Sequence, residues 1–86
     1  MNSQAADRFW QCYHRLPTDI QSLAMKRYRI WRQDPHHPSL QFKKVAAYWS
    51  VRITDDYRAL GIMDGDTVIW FWIGTHGEYD QLLGRG

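Results

Sequence analysis

The chain has 86 residues, a formal net charge of +2 and a sequence pI near 8.9. A chain of this length buries only a little over half of the surface it exposes when unfolded, which excludes more than one domain or a large core. The charge is too small to imply nucleic-acid binding by itself, so where the charges fall matters more than their sum.

Five Trp, five Tyr and three Phe supply bulk that a short chain otherwise lacks; each ring buries roughly 150–250 Å². The lone Cys12 rules out an internal disulfide, and a small domain without such staples fits a reducing compartment. Met1 to Ala6 is polar and no apolar run follows it, so no signal peptide is expected. The longest apolar run, Val68 to Ile73, falls well short of the ~20 residues of a membrane helix. The expectation is a single domain over residues 1–86, cytoplasmic and not membrane-bound.

In chain order, Met1 to Ala6 reads as a frayed end. Asp7 to Arg15 reads as a short helix with Phe9, Trp10 and Tyr13 on one side, interrupted by Pro17. Thr18 and Gln21 match a capping box. Ile20, Leu23, Ala24, Tyr28 and Trp31 form the apolar stripe of a second, amphipathic helix, which Pro35 ends because the residue before a proline avoids helical geometry. Lys26, Arg27, Arg29 and Arg32 cluster in this helix and read most simply as a solvated basic face. His36 to Ser39 is a loop. Its adjacent histidines cannot both face one ligand site from a regular element, and the further ligands a metal needs are not in view, so no metal site is expected.

Three strands follow. Trp49, Val51 and Ile53 alternate with Tyr48, Ser50, Arg52 and Thr54, one face apolar and the other mixed. Asp55-Asp56 turns the chain and Tyr57 to Met63 returns. Asp64-Gly65 signals a type I′ hairpin, since Gly supplies positive φ cheaply. Thr67 to Ile73 is apolar almost throughout and reads as the most buried strand. His76 to Leu83 reads as a loop or a single helical turn. The fold class is α+β, a helical hairpin across a small antiparallel sheet.

The chemistry-bearing residues gather in this second half. Arg52 and Arg58 lie in adjacent strands a few residues from cross-strand register. Two readings of Arg52 stand: a salt bridge to Asp55 or Asp56, or an anion-binding arginine paired with Arg58, since paired guanidiniums hold phosphate oxygens bidentately. Histidine titrates close to neutrality, so His76 suits general acid–base work on a ribose 2′-OH or a leaving 5′-oxygen, with Tyr79 as a positioning or proton-donating group. A surface His and a core Tyr are the alternatives, and the spacing alone is no specific motif.

The segments WSVRITDDYRAL and VIWFWIGTHGEYDQLL, with RLPTDIQSLAMKRY and HPSLQFKKV before them, together resemble toxins of the RelE/ParE superfamily from bacterial type II toxin–antitoxin pairs. The pattern is an L-P helix, an R-I strand, a D-Y-R strand, an apolar strand and an H-x-x-Y tail, ordered along Phe9 to Leu83. The resemblance implies a metal-independent, cofactor-free endoribonuclease cutting mRNA at the ribosome. Catalytic roles would fall to Arg58, Arg52, His76 and Tyr79, and RNA contacts to Lys43, Lys44 and Arg52. The H-x-x-Y tail favours this reading over two alternatives that the resemblance also allows: a ParE-like inhibitor of DNA gyrase acting through a helix surface that includes Arg29 and Arg32, or an inactive relic that only binds an antitoxin. In every case an antitoxin is the implied partner, neutralising Arg52 and Arg58 with acidic contacts. Two departures from the family are expected. The usual N-terminal strand is missing, leaving an edge that a partner strand can complete, and Asp55, Asp56, Asp64 and Asp66 dilute the basic surface.

Overall fold

Every strand but one in the sheet pairs with its sequence neighbour. The computed structural model describes residues 1–84. Its elements are β1 (Asn2–Ala5), α1 (Asp7–His14), α2 (Thr18–Gln33), a 3₁₀ turn at Pro38–Leu40, β2 (Lys43–Val45), β3 (Tyr48–Thr54), β4 (Tyr57–Asp64), β5 (Thr67–Thr75) and α3 (His76–Leu82). The sheet order is β1-β5-β4-β3-β2, with β2 to β5 an antiparallel meander and β1 parallel to β5.

The α+β class and the helical hairpin are as expected, but the N-terminal segment is not frayed. Asn2 pairs with Thr67 and Ala5 with Trp70. The Asn2 N–H donates to Asp66 O at 3.0 Å and the Ala6 N–H to Trp70 O at 2.9 Å. An edge strand needs only main-chain partners on one side, so β1 forms without apolar alternation, and its polar side chains suit an exposed edge. Ser3, its one half-buried residue, shares a 2.6 Å hydrogen bond with Tyr28 of α2. The edge of β5 is therefore covered by the chain itself, not left for a partner, and the sheet is mixed rather than purely antiparallel.

Helix starts also differ from expectation. Pro17, with φ −54° and ψ 148°, takes the cap position of α2. Thr18 is already helical, so no capping box forms there, and the Gln21 amide donates instead to Leu16 O at 3.1 Å. The box appears at α3, where Thr75 accepts from the Glu78 N–H at 3.2 Å and Glu78 Oε1 accepts from the Thr75 N–H at 3.2 Å. These reciprocal bonds satisfy the free N–H groups of the first turn, so the tail is a helix rather than a loop. In the β4–β5 hairpin only Gly65 has positive φ, at 61°. With Asp64 paired to Thr67, Gly65 is the first of two loop residues, the pattern of a type II′ turn rather than I′.

The two faces of the sheet carry separate cores. Helices α1 and α2 cover one face, α1 along β5 and α2 across β3. Their core holds Trp31, Leu40, Val51, Ile53, Ala59, Val68, Trp70 and Ile73, with Trp31 only 1% exposed. On the other face α3 covers Leu60 and Trp72 with Tyr79. A bulge in β5 makes this division possible. Leu60 pairs with Trp72 but Gly61 pairs with Trp70, leaving Phe71 as the extra residue. Residues two apart on a regular strand share a face; the bulge sends Trp70 and Trp72 to opposite cores. As the apolar run implied, β5 is the most buried strand, with five of its nine residues buried.

Gly61 faces Trp70 at this bulge. A Cβ there would lie 2.6 Å from Val68 Cγ1 and 3.0 Å from the Trp70 ring, so even one methyl overpacks the first core. Gly61→Ala is expected to lower the urea unfolding free energy by about 1–3 kcal/mol. An unchanged midpoint would show that the neighbouring rings yield freely.

Candidate active site at the β3–β4 turn

The turn joining β3 to β4 has two residues, Asp55 and Asp56, and its tightness fixes the register. Thr54 pairs with Tyr57, and across a register shift Arg52 pairs directly with Arg58. Pairing and alternation put both arginines on the face that α3 covers: Ser50 and Leu60, two residues back along each strand, are themselves paired beneath Tyr79. Like charges directly opposite are unfavourable, and the turn itself offsets them. Arg52 Nη2 donates to Asp55 Oδ1 at 2.5 Å, which selects Asp55 over Asp56 among the sequence readings. Arg58 Nη1 donates to the backbone oxygens of Thr54, of Tyr57 at 3.0 Å and of Asp55 at 3.3 Å.

His76 joins the same turn from the far side. Its backbone N–H donates to Asp56 O at 2.7 Å, and its side chain, 45% exposed, has Nδ1 3.1 Å from Asp80 Oδ2 one helical turn on. A carboxylate on Nδ1 favours the tautomer that carries hydrogen there, which frees Nε2 for solvent or substrate. The turn thus gathers Arg52, Arg58 and His76.

Tyr79 belongs to the site in a different way. It is 3% exposed, its ring lies 5.6 Å from the His76 ring, and its hydroxyl donates to Ser50 Oγ at 3.0 Å. The phenol satisfies one of the few buried polar side chains and pins α3 to β3. Gly74 allows this packing: a Cβ there would fall 2.6 Å from Trp72 Cζ2 and 3.2 Å from Glu78 Oε1, so glycine lets the indole lie against the start of α3. Glu78 is committed to the cap, and also accepts from the Thr75 hydroxyl at 2.9 Å.

The two lysines separate. Lys43 pairs with Ser50 and so shares the face of Arg52, while Lys44 pairs with Trp49 on the opposite face. Both are exposed on the short edge strand β2, where lysine also discourages unwanted strand pairing. His37 accepts from the Ser39 N–H at 3.2 Å and caps the 3₁₀ turn. Among the described residues no three His, Cys, Asp or Glu side chains are placed to hold a metal ion, and no helix is long and apolar enough to cross a membrane.

Sequence reading missed three partners: Ser50 for Tyr79, Asp80 for His76 and the Thr75–Glu78 cap. The last two carried signals, an i,i+4 His–Asp spacing and a T-x-x-E motif. Ser50 carried none.

Residues 18–81, from α2 through α3, match the family model of the ParE-like toxin domain. The chain belongs to the RelE/ParE superfamily of toxins from toxin–antitoxin systems. No curated protein matches its sequence. Solved structures share its fold at low identity. RelE in the RelB–RelE antitoxin–toxin complex of Methanococcus jannaschii superposes with a TM-score of 0.73 at 17% identity, covering 92% of this chain and 96% of that one. The YoeB/ParE toxin of Agrobacterium tumefaciens gives 0.67 at 19%, covering 88% and 99%. The isolated Escherichia coli RelE toxin gives 0.62 at 11%, covering 98% and 96%.

The Arg52 guanidinium, first by its hydrogen bond and then by its charge, holds the Asp55 carboxyl below its ordinary range, and Arg58 adds to this. A depressed folded value means that this bridge contributes above the unfolded carboxylate range and is lost as pH falls through the folded value. In an NMR titration the Asp55 carboxyl should therefore turn over below the ordinary aspartate range. Arg52→Gln should return it toward that range, and equal midpoints in both proteins would remove the bridge from solution.

Proposed function

We propose that this toxin is a metal-independent endoribonuclease that cleaves mRNA at the ribosome and is silenced by a cognate antitoxin. The observation that carries this reading is the register-fixed Arg52–Arg58 pair with His76 tied to the same turn. In cleavage by the ribose 2′-OH that oxygen loses its proton as it bonds to phosphorus, the bond to the 5′-oxygen breaks and that oxygen gains a proton, while charge builds on a pentavalent phosphate. The two guanidiniums offset the charge, and His76, through Nε2 and steadied by Asp80, takes the 2′-OH proton and returns it to the departing 5′-oxygen. Lys43, on the same face, contacts the RNA backbone, and Lys44 extends that contact around the edge strand. Tyr79 acts by position: its bond to Ser50 holds α3 and so His76. One of the similar structures, from Methanococcus jannaschii, is an antitoxin–toxin complex, which supports a protein antitoxin here, with acidic groups directed at the arginines.

A second reading is an inhibitor of DNA gyrase. Its support is the ParE-like domain match together with Lys26, Arg29 and Arg32, all exposed along α2.

Induced expression in a bacterial host separates the two. Wild type should stop incorporation of labelled amino acids, and Arg58→Ala or His76→Ala should restore it, each lowering cleavage about 100-fold or more. Tyr79→Phe should instead cost about 1–2 kcal/mol of stability by stranding buried Ser50, with cleavage by the folded fraction largely kept. Continued translation with a DNA-damage response in all of these proteins would transfer the assignment to gyrase. An absence of any effect would leave a domain that only binds its antitoxin.

A further inference from the structure

Arg52 and Arg58 are both engaged in the free protein, but by different groups. Arg58 rests on neutral backbone oxygens of Thr54, Asp55 and Tyr57, which leave its charge uncancelled. Arg52 rests on a carboxylate: Asp55 lies three residues on, across the turn, with Oδ1 2.5 Å from Nη2. The carboxylate is almost wholly in solvent, its side chain 89% exposed, while that of Arg52 is 23% exposed. The cation is thus held in the sheet and its anion is the exposed member.

A carboxylate and a phosphodiester offer the same recognition chemistry to a guanidinium, two oxygens in the plane of the fork. We propose that Asp55 is an internal surrogate for the substrate phosphate, seated on Arg52 until a phosphodiester oxygen displaces it, so that Asp55 sets the affinity and selectivity of this toxin for RNA. This rests on the endoribonuclease reading, in which Arg52 meets the scissile region. Exposed ion pairs are weak, so the exchange is easily reversed. The turn is built to keep the surrogate in reach. The Asp56 N–H donates to Thr54 Oγ1 at 3.1 Å and its carbonyl accepts from His76, bracing the loop on which Asp55 rides. The Asp56 side chain makes no hydrogen bond or ion pair among the described residues, so it supplies a control of equal charge one position away.

The test is fluorescence anisotropy with a short single-stranded RNA, 2′-O-methylated throughout to prevent cleavage, at one fixed salt concentration. Asp55→Asn should tighten binding about threefold to fivefold, the scale of an exposed ion pair. Asp56→Asn should change it by less, and the gain from Asp55→Asn should fall to the Asp56→Asn level when Arg52 is already Gln, leaving only the smaller effect of Arg58 on Asp55. Equal gains from the two aspartates, a gain undiminished in Arg52→Gln, or no binding by any variant would each overturn the exchange. Pulse labelling of the same wild type keeps the two ideas apart. Arrested translation with no Asp55 effect leaves the ribonuclease without the surrogate; an Arg52-dependent Asp55 effect without arrest leaves the surrogate on a protein with another RNA target.

Discussion

Strand β5 is the constraint on which the rest depends. It is flanked on both edges, by β1 and β4, and covered on both faces, by α1 and α2 on one side and α3 on the other. An 86-residue chain has little interior to spend, and this one concentrates it in a single strand whose bulge directs one tryptophan into each core. With both faces buried, the strand reads as a continuous apolar run, and the elements around it are those needed to cover it.

The candidate site follows from that arrangement. Covering the second face requires a helix directly after β5, and the Thr75–Glu78 box starts it at once. The first residue of that helix is His76, whose N–H reaches the β3–β4 turn. The same turn, by having only two residues, sets Arg52 opposite Arg58. The catalytic candidates are therefore carried by the same short connections that close the fold. Tyr79 shows how closely the two roles lie: three residues after His76, it fills the second core and bonds to Ser50.

What was legible in the sequence had local causes. Strands β3, β4 and β5 follow from alternation and from the Asp-rich turns, and the opposition of Arg52 and Arg58 from the length of one turn. The α2 stripe, Ile20 to Trp31, was equally plain. What was not legible depended on distant chain. Strand β1 is held by main-chain bonds to β5, which leave no periodic trace in its side chains, and β2 has too few residues to show a period. Thr18 and Thr75 head the same kind of motif, yet only Thr75 has the extended backbone a cap needs, because Pro17 already holds that place for α2. The fate of Tyr79 turned on Ser50, twenty-nine residues away, which no spacing rule reaches.

The pairing of β1 with β5 also has a bearing on how the molecule comes into being. Asn2 meets Thr67, so β1 waits for β5, a strand far along the chain, before it has a partner. Contacts of such long sequence separation are costly in loop entropy and slow to form. A growing chain that has reached only β4 has neither the strand that orders β1 nor the helix that carries His76. The sheet and the candidate site are completed together, once β5 and α3 have been made, and a chain that stops before them carries the arginines without His76.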